Sequence, residues 1–218
     1  MHPRPATTII PAAVHSLPMQ AERRGRYLLI GIAALYSGVV LWSFTVSYSD
    51  PVSWLLRISG LIGLLSLSIA ALMTPFLARI CALFGAPFLR VHHVFAAFGL
   101  VLATLHPVIL ATETLNPAVF LPSFASPYLF FALGGRMALI LLYIALAAIL
   151  LRRRLPQRVW RPLHGLMYAV IALGIIHGNL IGTDFQDPVI FVLFNGLFVA
   201  VVGAFLLKRW QRRPKKGT

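Results

Sequence analysis

Five histidines fall in two apolar stretches of the chain: His92, His93 and His106 in one, His164 and His177 in the other. His2 and His15 lie near the N-terminus and carry no assignment. Each stretch is long enough to cross a bilayer, and ionisable side chains inside a membrane are functional candidates by default. On a helix, His92 and His106 are fourteen residues apart, roughly 40° short of four whole turns, so they share a face about 20 Å apart along the axis. Between them stand Ala96, Gly99 and Ala103, small residues that admit a bulky neighbour. His164 and His177 are thirteen apart, also about 20 Å along the axis but roughly 140° apart on an ideal wheel. That pair needs a local change of winding to share a partner. Gly174, Gly178 and Gly182 form a four-residue ladder around His177.

If both stretches run the same way, His92 and His164 share one depth, and His106 and His177 share another. Two imidazoles about 20 Å apart on one helix cannot share a metal, whereas two at one depth on two helices can. A lone zinc wants about four ligands, and each level offers two histidines. A porphyrin supplies the four equatorial nitrogens, so bis-histidine b-type haem is the economical cofactor, two haems or one. A single histidine in a membrane helix is commonly structural, and small residues commonly serve helix packing. Four histidines matched in depth favour ligands. His93 points away from the His92 face, as a supporting contact or a replacement for His92.

The elements that position these residues follow from composition. The chain has 218 residues, is 59% hydrophobic and only 11% charged, with mean hydropathy +0.86. These values describe a bundle of spanning helices rather than a soluble domain. Six apolar segments stand out, at roughly 27–47, 53–74, 91–112, 129–151, 161–182 and 188–207. Breaks separate them: Ser49-Asp50-Pro51, Thr74-Pro75, Asn116-Pro117 to Pro127, Arg152-Arg153-Arg154 with Pro156, and Asp184 to Pro188. Pro75–Leu89 is too short to span and reads as an interfacial piece. The expectation is an all-α, polytopic membrane six-helix bundle, with a tail over 1–26, a haem domain over 27–207 and a basic tail over 208–218.

Charge orients it. There are 19 Lys and Arg against 5 Asp and Glu, net +14. In a chain this apolar the excess reflects basic cytoplasmic loops rather than nucleic acid, so no nucleic-acid partner is expected. With both termini cytoplasmic, most of the basic residues lie inside, while Asp50, Glu113, Asp184 and Asp187 lie outside. Only Arg57 and Arg136 fall near the outer side. Haem propionates are anionic, so Arg57 and Arg136 outside, and Arg90 and Arg161 inside, are candidates to pair with them; an anionic substrate is an alternative partner for the outer two. Cys81 is the single cysteine, which excludes an internal disulfide, covalent haem attachment and an iron–sulfur ligand set. Residues 1–26 lack the sustained apolar core of a cleavable signal.

At Arg90-Val91-His92-His93 with Leu105-His106, and at Trp160-Arg161-Pro162-Leu163-His164 with Tyr168 and His177, the sequence resembles the ferric reductase-like transmembrane superfamily. That group includes ferric reductases, NADPH oxidases and the haem-binding membrane subunit of the bacterial methionine sulfoxide reductase system. The resemblance covers about residues 50–207 and rests on the joint spacing of the histidines. It implies His92 and His164 as ligands of an inner haem, and His106 and His177 as ligands of an outer one. It also implies that the thirteen-residue interval is a family trait. The small six-helix layout looks most like the methionine sulfoxide reductase subunit, but that subunit typically lacks a histidine at the position of His92.

The expected function is transmembrane electron transfer. No Gly-rich dinucleotide fingerprint is present, so a separate flavin or NAD(P)H reductase, or a membrane quinol, is the expected donor. Ferric iron, oxygen or a partner reductase on the outer side is the expected acceptor. A flavin or a quinone is compatible as a further cofactor. The setting is a multi-pass protein among membrane lipids, in a bacterial inner membrane. A metal or proton transporter with histidine relays competes, but it calls for acids beside the histidines, and the acids all lie in loops or flanks. A haem-free structural subunit leaves the paired histidines unexplained.

Overall fold

The computed structural model describes residues 19–76 and 88–211, and within these every regular element is a helix. In chain order they are α1 (Met19–Ser47), α2 (Pro51–Met73), α3 (Phe88–Thr114), α4 (Pro127–Ala132), α5 (Gly134–Leu150), α6 (Gln157–Gly165), α7 (Met167–Ile181) and α8 (Pro188–Gln211). Single turns of 3₁₀-helix cover Thr74–Phe76, Pro117–Phe120 and Thr183–Gln186. Most of the expected interfacial piece, Pro75–Leu89, lies outside the described residues.

Five stretches are long and apolar enough to cross a membrane: Gly25–Val46, Pro51–Phe76, Leu89–Thr114, Gln157–Ile181 and Pro188–Trp210. The fourth expected segment appears as the shorter apolar helix Gly134–Leu150, preceded by α4. Two boundaries differ from the expectation. α1 begins at Met19, inside the expected tail, and α8 runs through Lys208 to Gln211. Nothing in Met19–Arg26 or Lys208–Gln211 breaks a helix, whereas a proline stands immediately before Met19.

Helix ends are set by local chemistry. Asp50 Oδ1 accepts from the amides of Val52 and Ser53 at 3.0 Å, and Pro51 occupies the first turn, where its missing N–H costs nothing. Asp187 does the same for α8 through Val189 and Ile190. Hydrogen bonding, from the amide of Ser53 first, holds the Asp50 carboxyl below its ordinary value, as befits a carboxylate at a helix N-terminus. α3 ends where Leu115 turns left-handed, at φ 51°, and the Asn116 amide reaches back to the Ala111 carbonyl.

α2 is the central helix. Its span is 56% buried, against 11% to 22% for the other four long spans, whose outer faces carry exposed Leu, Ile, Val and Phe. One core joins α2 to α1, α7 and α8 through Val39, Leu65, Ile171 and Phe194; a second joins it to α5 and α7 through Leu67, Leu142 and Val170. α2 and α3 run antiparallel in close contact. A Cβ at Gly63 would meet the Ala103 amide nitrogen at 2.8 Å, and one at Gly99 would meet Leu67 Cγ at 2.8 Å. Gly99, expected to make room for a cofactor, therefore admits a neighbouring helix.

Candidate functional site

Each of the four ligand-candidate histidines turns Nδ1 to a backbone carbonyl on an adjacent helix. On α3, His106 Nδ1 bonds the Leu56 carbonyl at 2.7 Å, and His92 Nδ1 bonds the Ala70 carbonyl at 3.1 Å. On the other side, His177 Nδ1 bonds the Ala132 carbonyl at 2.7 Å and His164 Nδ1 the Ala145 carbonyl at 3.4 Å. The carbonyls can only accept, so Nδ1 carries the proton and donates, and Nε2 keeps its lone pair. This is the tautomer a metal-binding imidazole needs, with its orientation fixed from behind.

The intervals have a structural counterpart. Leu56 and Ala70 are fourteen residues apart on α2, as His92 and His106 are on α3. Ala132 and Ala145 are thirteen apart, as His164 and His177 are. The thirteen-residue interval contains the break its wheel angle demands. α6 stops at Gly165, Leu166 folds its amide back onto the Leu163 and His164 carbonyls, and α7 starts at Met167. A matching break lies at Leu133, between α4 and α5. There the Arg136 amide bonds the Leu133 carbonyl instead of that of Ala132, which is left for His177. Likewise the Thr74 amide closes on Ala71, leaving the Ala70 carbonyl at the end of α2 for His92.

His106 and His177 face one another with ring centroids 6.4 Å apart and planes at 78°. Two metal–nitrogen bonds of about 2 Å, plus half of each ring, would make roughly that distance, so these two residues could hold one haem iron between them. Both line a cavity of about 600 Å³ between α2, α3, α5 and α7, a volume suited to a cofactor. Its walls are mainly Leu, Ala, Val and Gly. Glycines stand against both rings: a Cβ at Gly60 would lie 2.9 Å from His106 Nδ1, and one at Gly135 would lie 3.3 Å from His177 Nε2. Pro107, directly after His106, is buried on the same wall and has no N–H to give the Ala103 carbonyl. Sequence reading missed Gly60, Gly135 and Pro107. The Gly134-Gly135 pair and the His106-Pro107 step inside apolar segments were the available signals.

His92 and His164 do not line this cavity. His93 is exposed, its ring 6.0 Å from that of His92. Among the described residues, no three His, Cys, Asp or Glu side chains gather in a way that could hold a bare metal ion. Two histidines per level suit a macrocycle that brings its own equatorial nitrogens.

The four arginines separate. Arg57 and Arg136 line the cavity; Arg90 and Arg161 lie elsewhere, exposed, with Arg161 stacked 5.6 Å over Trp160. Arg136 Nη1 donates to the Ala118 and Leu121 carbonyls at 3.0 and 3.1 Å, tying the 3₁₀ turn to α5. Arg57 Nε meets Asp184 Oδ2 at 3.3 Å, and Ser43 Oγ donates to Asp184 Oδ1 at 3.3 Å. Asp184 was expected in an outer loop; it is 5% exposed, drawn inward by that pair.

No curated protein and no solved structure matches the chain. A family model does. The model described as ferric reductase like transmembrane component matches residues 59–175, just over half of the chain and a stretch that holds three of the four histidines. With four carbonyl-oriented histidines on apolar helices, the chain belongs to the ferric reductase like transmembrane family.

Proposed function

We propose that this protein is a transmembrane electron-transfer subunit holding b-type haem between His106 and His177, and a second between His92 and His164. The observation that carries the reading is the shared posture of the four imidazoles. All four bond a backbone carbonyl through Nδ1, and one pair faces across 6.4 Å on a cavity wall. Bound haem supplies a one-electron carrier. The protein's own part is to fix the imidazole tautomers, to keep bulk water away with a mostly apolar wall, and to hold cationic Arg57 and Arg136 at the cavity. In the proposed topology the chain crosses six times, with α4 and α5 together forming the fourth pass and both termini cytoplasmic. His92 and His164 then lie near the cytoplasm, and His106 and His177 near the outside. Electrons come from a separate flavoprotein or a quinol and leave to an outer acceptor such as ferric iron, oxygen or a partner reductase. The setting is a bacterial inner membrane.

A one-haem subunit of a larger redox complex is the second reading. It is favoured by the looser 3.4 Å contact of His164 and by the position of the cavity at the His106–His177 level. A pyridine haemochrome count on detergent-purified protein decides between them. Two haems per chain, falling to one in both His92→Ala and His164→Ala, supports the two-level wire. One haem, lost in His106→Ala and His177→Ala, supports the second reading. No haem after growth with ample haem supply removes both.

A further inference from the structure

The Arg57–Asp184 pair sits on the wall of the cavity that the facing histidines share. Three separate elements build it. Arg57 comes from α2, one residue after Leu56, whose carbonyl orients His106. Asp184 comes from the 3₁₀ turn after α7, and Ser43 of α1 braces its other oxygen. Asp184 is almost fully buried, and Arg57 is only 20% exposed. A buried ion pair is weak evidence for stability, because desolvation offsets much of the attraction, and apolar replacements are often as stable. Charges on a cavity wall of low dielectric act strongly on a redox centre within it.

We propose that Arg57 and Asp184 are a potential-setting pair for the haem held by His106 and His177, with Asp184 cancelling the charge that Arg57 would otherwise impose. The inference rests on the haem reading above. A positive charge disfavours the ferric state and raises the midpoint potential; a negative charge lowers it. Arg57→Gln leaves Asp184 uncompensated and lowers the midpoint of this haem. Asp184→Asn removes the negative charge and raises it. The double variant removes both charges and returns the midpoint towards that of the native protein. Each single change is expected to shift the reduction equilibrium by about tenfold, which is about 59 mV for one electron.

The test is potentiometric titration of the purified, haem-loaded native protein and the three variants, following the reduced-haem band. A haem count on the same samples is the control. Opposite shifts in the two single variants, cancelling in the double, support the proposal. Shifts of the same sign, or midpoints within about twofold of native at full haem content, overturn it while leaving the haem reading intact. If one single variant does not fold, the double compared with the other single still isolates one charge with its predicted sign, because the double removes the whole ion pair rather than one member of it. A native protein without haem overturns the reading and this inference together.

Discussion

A methyl group added at Gly135 would stand 3.3 Å from His177 Nε2, the atom left free for ligation, and 3.2 Å from Cδ2. At Gly60 the added methyl would stand 2.9 Å from His106 Nδ1, the atom that donates to Leu56. The two glycines therefore act on opposite edges of the facing rings. Gly135→Ala crowds the ligating edge, and the expected outcome is loss of the haem at this level, seen as a drop of one haem per chain with the helical circular dichroism unchanged. Gly196→Ala is the control, since nothing lies within 4 Å of the added carbon, and it keeps the native count. A Gly135→Ala protein with full haem content would show that the His177 ring accommodates the methyl and that Gly135 does not set haem occupancy. The histidines themselves were readable from residue type and interval, because ionisable groups stand out against an apolar background. Their carbonyl acceptors and facing glycines were not, because one helix's periodicity says nothing about which neighbour's backbone lies opposite. Gly99 shows the same limit from the other side: its place between two histidines suggested a cofactor, and Leu67 of α2 occupies it.

The elements convert these residues into pairs through two interruptions. An unbroken helix from Gln157 to Ile181 would set His164 and His177 roughly 140° apart. The break at Leu166 lets both rings reach carbonyls on α4 and α5, whose own break at Leu133 frees one of those carbonyls. The need for altered winding was evident in the thirteen-residue interval; its location was not, since Gly165-Leu166-Met167 contains no proline. The break in the fourth segment was missed, although Gly134-Gly135 marks it: two weak helix formers in succession. The interval itself can be tested. One alanine inserted after Leu166 turns His164 by about 100° relative to His177 and shifts it about 1.5 Å. The expected result is a haem count falling from two to one, with the remaining haem still dependent on His106 and His177. A count that stays at two would mean that His164 does not ligate from this register.

Across the whole molecule, charge and capping divide the bundle into two ends. Asp50, Asp184 and Asp187 cluster where α2 and α8 begin, and Asp187 also accepts from Trp42 Nε1 of α1 at 3.0 Å. Arg152, Arg153 and Arg154 occupy the turn between α5 and α6, and Lys208 near the end of α8 reaches the Thr74 carbonyl at the far end of α2. Asp50 and Asp187 cap helix N-termini at one end, whereas Arg152, Arg153, Arg154 and Lys208 gather at the other, the distribution on which the proposed orientation rests. This division of charge between the two ends was readable from the sequence because it needs only the order of charges and apolar segments. The burial of Asp184 was not, because it depends on α1 and α2 meeting the turn after α7. Sidedness yields a prediction independent of haem. In a Cys81→Ser background, Ser123→Cys in the loop after α3 should react with a membrane-impermeant maleimide in intact cells. Arg153→Cys should react only after the membrane is opened. The reverse pattern would place the His92–His164 level outside, and the direction of the proposed electron path would turn with it. Labelling of both positions in intact cells would mean that the helices between them do not make a single crossing, which would remove the parallel placement of α3 with α6 and α7 on which the pairing by depth depends.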